Sequence, residues 1–230
     1  MSDDQSGEFL GFSEVLLAGL QKSRDQVSAN GSSHLGVLTG AHTACLACIG
    51  SILTRPDREF PASDVQEKLH RASIHSAVVQ GIHAIEYCIS VGCYVQAATL
   101  VRQEVEAVEG TRGIRQGKQK NGVQPRLKAL RHLGRCYGQL SSLAHLSTHD
   151  LLAHVVSASI GDIDHSFNPG FSRFLFGLHV HALVGIIPDM AELRPYSDAA
   201  IFSKDEIWWQ SAVCGVLVEE GLMTLKDATD

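Results

Sequence analysis

Two short stretches combine residue types that could handle an anion or a proton. In Leu100–Val101–Arg102–Gln103–Glu104–Val105–Glu106, Arg102 and Glu106 stand four apart. In Tyr137–Gly138–Gln139–Leu140–Ser141–Ser142–Leu143–Ala144–His145, the residues Tyr137, Ser141 and His145 fall at i, i+4 and i+8. On a helix, four-residue spacing stacks side chains on one face. Two such faces turned toward each other would collect a guanidinium, a carboxylate, a phenol, a hydroxyl and an imidazole inside a helical bundle. In that cluster Arg102 would bind an anionic group, Glu106 would orient it, and Tyr137 and Ser141 would add hydrogen bonds. His145 would be the acid or base, since imidazole is the side chain that ordinarily titrates near neutral pH. The same residues also fit a polar network that only fixes helix register, because a charged pair inside a bundle is costly unless fully hydrogen-bonded.

Charge is segregated along the chain. The protein has a formal charge of −6, with 19 basic and 25 acidic residues. No acidic residue lies between Gly110 and His149, whereas Arg112, Arg115, Lys118, Lys120, Arg126, Lys128, Arg131 and Arg135 all do. Such a block is a candidate surface for phosphate, nucleic acid or an acidic partner, and equally a solvated Lys/Arg-rich helix–loop–helix.

The pattern Leu-x-Arg-x-x-Val-Glu (Leu100, Arg102, Val105, Glu106), followed by Tyr-x-x-Leu-Ser-x-x-x-His (Tyr137, Leu140, Ser141, His145), resembles a broad group of bacterial all-helical proteins. These are similar in turn to the HEPN-like helical bundles. The resemblance covers roughly residues 80–150. It implies a helical bundle, with sites often formed across a dimer interface. Its ribonuclease members imply metal-independent RNA cleavage by an Arg-x4–6-His pair, in which the Arg stabilises a phosphate and the His transfers a proton. Arg126 with His132 and Arg173 with His179 have that spacing, but Leu127 and Phe174 stand where those ribonucleases carry Asn, Asp or His.

Other pairings are weaker. His42, Cys45 and Cys48 offer three soft ligands at three-residue spacing, yet within an apolar helical pattern and without a second ligand pair, so core cysteines are expected. Glu67 and His70 form half of a di-iron motif whose second half is missing, and His145 with His149 lacks a third ligand. His179 and His181 alternate on an apolar helix, which favours satisfied core or interface histidines. Trp208 and Trp209 are expected to divide between core and interface. No phosphate loop, nucleophile elbow or dinucleotide fingerprint occurs. No metal or cofactor is therefore expected.

The elements that must position these residues read as helices. Apolar residues recur at helical spacing over about 8–29, 34–54, 64–90, 93–117, 125–147, 171–192 and 203–225. The second is apolar nearly all round and is expected to be central. Glu67 is placed to close a capping box on Ser63 or Asp64, Pro125 to open a helix, Pro188 to kink one and Ser203 to cap the last. The fourth carries a near-heptad stripe of Val91, Tyr94, Ala98, Val101, Val105 and Val108, while Lys118–Gly122 reads as a linker. At 230 residues and 44% apolar composition the chain can bury one substantial core.

These features predict a single all-α domain, a bundle of six or seven helices over residues 8–225. Its core is expected at roughly 34–160, with flexible ends at 1–7 and 226–230. The opening MSDDQSGEF has no basic segment followed by an apolar core, so no secretory leader is expected and the cysteines should be reduced and cytoplasmic. The expected assembly is a homodimer with no membrane association. RNA or another anionic partner is the expected ligand. The alternatives are a ribonuclease and a structural interaction module.

Overall fold

The computed structural model describes residues 17–29, 34–56, 61, 64–119, 123, 131–146 and 167–224, with 131–135 described in their backbone alone. Seven helices occur among them: α1 (17–29), α2 (Val37–Leu53), α3 (Val65–Ser90), α4 (Tyr94–Arg115), α5 (Arg131–Ala144), α6 (Pro169–Leu193) and α7 (Lys204–Glu219). No strand is present among the described residues, and the protein is an all-α bundle. The expected helical starts at residue 8 and at Pro125 and the expected flexible ends lie outside the described residues.

Helix boundaries follow local chemistry. Gly92 (φ +77°) closes α3: its N–H bonds Ile89 O, and Cys93 N–H bonds Cys88 O at 2.8 Å. This paired Schellman arrangement needs a left-handed residue, a conformation that a Cβ disfavours. Gly117 (φ +64°) ends α4 the same way, through Ile114 O and Gly113 O. At α6, Asn168 is the N-cap, its side chain accepting from Phe171 N–H, and Pro169 occupies the first turn, where its missing N–H costs nothing. Ser203 and Glu206 form the capping box of α7. The box expected at α3 does not form. Asp64 caps without a side-chain bond, and Glu67 instead accepts from Arg71 Nη1 at 2.7 Å.

Two helices carry the core. α4 packs on α3, α5 and α6, while α6 packs on α2, α3, α4 and α7. The whole α4 stripe is buried, as its spacing predicts. The central element is α6 rather than α2, whose Val37, Leu46 and Leu53 are exposed. α6 buries Leu175, Leu178, Leu183, Ile186 and Ile187 completely, so the core continues well past the expected limit of residue 160. Each such side chain contributes roughly 1.5–3 kcal/mol by leaving water. The helix runs on through Pro188 to Leu193. A Cβ on Gly185 would meet Val108 Cγ1 at 3.1 Å, which marks the close approach of α6 to α4. By length and composition α6 could cross a membrane, but 83% of its apolar window is buried within the bundle. Trp208 and Trp209, expected to divide between core and interface, are both exposed on α7, with Ile207 exposed beside them. The two indole rings stack edge to face at 4.5 Å. Val213 and Leu217 form the inward stripe instead.

Candidate functional site

The α4–α5 contact brings four of the expected residues together. Arg102 Nε donates to Glu106 Oε1 at 3.0 Å and to Tyr137 Oη at 3.1 Å. Tyr137 Oη–H donates in turn to Glu106 Oε1 at 2.5 Å, and its ring lies 5.3 Å from the guanidinium carbon. Arg102 Nη1 lies 3.1 Å from His145 Nε2. Guanidinium nitrogens only donate, so Nε2 accepts and the imidazole proton sits on Nδ1. Nη2 of Arg102 has no partner among the described residues.

Electrostatics hold this arrangement. Burial works against the charge of Arg102, but its bonds to Tyr137 and Glu106 prevail and keep its pKa above the ordinary value. Burial, and then the bond to Glu106, push the Tyr137 phenol up, so it remains a donor. Arg102 and Glu106 side chains are 19% and 24% exposed, which places the cluster at the rim of the bundle, in reach of solvent.

His145 owes its position to the end of α5. Its N–H bonds Ser141 O, and Leu146 N–H bonds Leu143 O, half of the pattern that closes α3 and α4. The left-handed residue here is Leu146 (φ +53°), which carries a Cβ where the other two carry glycine. Ser141 takes part through its carbonyl only.

The remaining candidates fare differently. Arg112 pairs with Glu109 at 3.1 Å and Arg115 with Glu192 at 3.0 Å, while Lys118 bonds Gln116 at 2.9 Å. Lys120, Arg126 and Lys128, together with the side chains of Arg131, His132 and Arg135, lie outside the described residues, as does His149. Arg173 and His179 do not form a pair: Arg173 engages Glu220 and the carbonyls of His34 and Leu35, whereas His179 engages Glu104 and His42. Their six-residue separation turns them to different sides of α6. Cys45 and Cys48 are buried free thiols, and burial pushes both pKa values up. Among the described residues no cluster of three or more His, Cys, Asp or Glu is arranged to hold a metal.

Two buried networks went unread in the sequence. In one, Arg71 forks onto Asp189 (Nε–Oδ2 3.1 Å, Nη2–Oδ1 2.9 Å), and His75 Nε2 meets the same carboxylate at 2.8 Å. Burial would raise the Asp189 pKa, but the bonds from His75 and Arg71 outweigh it and hold the carboxyl below its ordinary value. In the other, Glu104 Oε2 lies 2.7 Å from His179 Nδ1, His179 Nε2 lies 3.2 Å from His42 Nε2, and His42 Nδ1 lies 3.4 Å from Glu86. Burial, reinforced by His179, lowers the His42 pKa to about 4. The available signal was position: Glu104 shares a helix face with Val101 and Val108, so a carboxylate was bound to enter the core.

Comparison with protein families, with curated proteins and with solved structures finds no match to this chain.

Proposed function

We propose that the protein is a HEPN-like bundle that binds an anionic partner, RNA first among them, at the Arg102 cluster. The observation that carries this reading is the guanidinium itself. Glu106 and Tyr137 fix its Nε edge at the partly exposed rim of the bundle, while Nη2 has no partner among the described residues. A preorganised guanidinium with free N–H groups suits the forked geometry of a phosphate. Arg112 and Arg115, about three and three and a half turns further along α4, add positive charge to the same helix, although each is partly offset by its carboxylate. The exposed Ile207, Trp208 and Trp209 of α7 supply an apolar face for the homodimer in this reading. Sedimentation velocity tests that assembly.

A second reading is metal-independent RNA cleavage, favoured by the imidazole beside the guanidinium. His145 Nε2 would leave Arg102 to take the proton of a ribose 2′-hydroxyl. The 2′-oxygen would attack the adjacent phosphorus as the P–O5′ bond breaks, leaving a 2′,3′-cyclic phosphate, with water protonating the departing 5′-oxygen. Arg102, released on that side, would stabilise the negative charge gathering on that phosphate. Both readings are tested in one series. Purified protein is titrated into labelled single-stranded RNA at rising salt and then incubated with it in chelator, beside His145→Ala and His132→Ala. Binding whose logarithm falls linearly with log salt supports the first reading, and salt-independent or absent binding removes it. Cleavage lost in His145→Ala alone supports the second. Cleavage undiminished in both variants discards these histidines.

A further inference from the structure

We propose that the cavity between α3 and α4 is a second site, which receives a small organic ammonium on an apolar body through Oε1 of Glu104. The cavity has a volume of about 910 Å³, within the range of small-molecule sites. Ile74, Ile85 and Leu100 give it apolar walls, and Glu104 is part of its lining. Glu104 is only 4% exposed, and its two oxygens differ sharply. Oε2 is held by His179, whereas Oε1 is buried with no hydrogen-bond partner among the described residues. A buried carboxylate oxygen without a donor is a standing cost that an arriving N–H would remove.

The charge around the cavity selects the ligand class. Three carboxylates line it: Glu67, Glu104 and Glu106. Glu67 is held by Arg71 and Glu106 by Arg102, and the lining cation Arg115 is held by Glu192. Glu104 has only an imidazole opposite it. Among the described residues Arg115 is the one Arg or Lys in the lining, so an anion in the cavity would find no uncommitted guanidinium or ammonium on its wall. An alcohol could satisfy the hydrogen bond but not the charge, and an ammonium satisfies both. Burial raises the Glu104 pKa against the opposing pull of His179, so a bound cation would favour the carboxylate form. The site is independent of anion binding at Arg102, although Glu106 borders both.

Calorimetric titration of the full chain with n-hexylammonium at neutral pH, beside 1-hexanol and hexanoate, tests the proposal. The expected result is one-to-one binding of hexylammonium at least ten-fold tighter than hexanol, with no binding of hexanoate. Glu104→Gln should weaken hexylammonium at least ten-fold. Gly81→Phe should abolish binding, because Gly81 lines the cavity and a side chain there meets open space. Circular dichroism checks that each variant keeps its helices, and if Glu104→Gln does not, the ligand series and Gly81→Phe decide. Equal affinity for hexanol or hexanoate, unchanged affinity in a folded Glu104→Gln or in Gly81→Phe, or no binding of hexylammonium at millimolar concentration would each overturn it.

Discussion

His145 Nε2 accepts a hydrogen bond from Arg102 Nη1 across 43 residues of sequence. The bond joins the residue just past the end of α5 to the middle of α4, and Tyr137, two turns before His145, closes the same network onto Glu106. One helix thus supplies the cation and the carboxylate, and the other the phenol and the imidazole.

Tyr137→Phe should destabilise the protein by about 1–3 kcal/mol, because the phenol both donates to Glu106 and accepts from Arg102 and each bond is worth about 0.5–1.5 kcal/mol net. Glu106 Oε1 loses its phenolic donor but keeps the Arg102 bond. Urea unfolding of the variant beside wild type measures the change.

The Asp189 network should dominate the response to strong acid. Asp189 has a folded pKa held below its ordinary value of 3.8. Its stabilisation is therefore complete above about pH 4 and is lost as pH falls through the lower folded value. Asp189→Asn should cost roughly 3 kcal/mol at neutral pH, since Arg71 and His75 lose their shared buried carboxylate. It should also flatten the stability profile below pH 4. Denaturant unfolding across pH 2–7 reads both effects.

His42 acts in a different window. Its pKa falls from 6.5 to about 4 on folding, so the unfolded chain binds the extra proton between those values. Stability contributed by the neutral ring is present above pH 6.5 and is lost as pH drops toward 4, by roughly 3 kcal/mol at most. His42→Gln should remove that slope while leaving the Asp189 limb intact. The same pH-dependent unfolding series separates the two.

Leu146→Gly should stabilise the protein by roughly 0.5–1 kcal/mol, because Leu146 holds a left-handed conformation and is half-exposed, with little burial to lose. Thermal unfolding checks the sign. A loss of stability would mean that Leu146 makes contacts that outweigh its strain.

Much of the fold was legible because helical spacing and end chemistry agree. The stripe from Val91 to Val108, the gap between the helical ranges of about 64–90 and 93–117, the Ser203 cap and the i, i+4 pairing of Arg102 with Glu106 all read directly from local pattern. Centrality did not. α2 and α6 are both apolar nearly all round, and only packing decides that α6 lies inside while Leu46 and Leu53 of α2 face out. Trp208 and Trp209 misled for a related reason, since large apolar side chains predict burial but not which helix face the core takes. Glu104 and Asp189 were hidden because their partners, His179 and Arg71, lie 75 and 118 residues away, and no local pattern records such a pairing.

The central claim is that Arg102 is the anchor of an anion site. Its most direct test is the equilibrium affinity of labelled single-stranded RNA for wild type and Arg102→Gln at one fixed, moderate salt concentration. The account predicts measurable binding by wild type and at least a ten-fold loss in the variant, with helical content unchanged. Equal affinities in two equally folded proteins would contradict it.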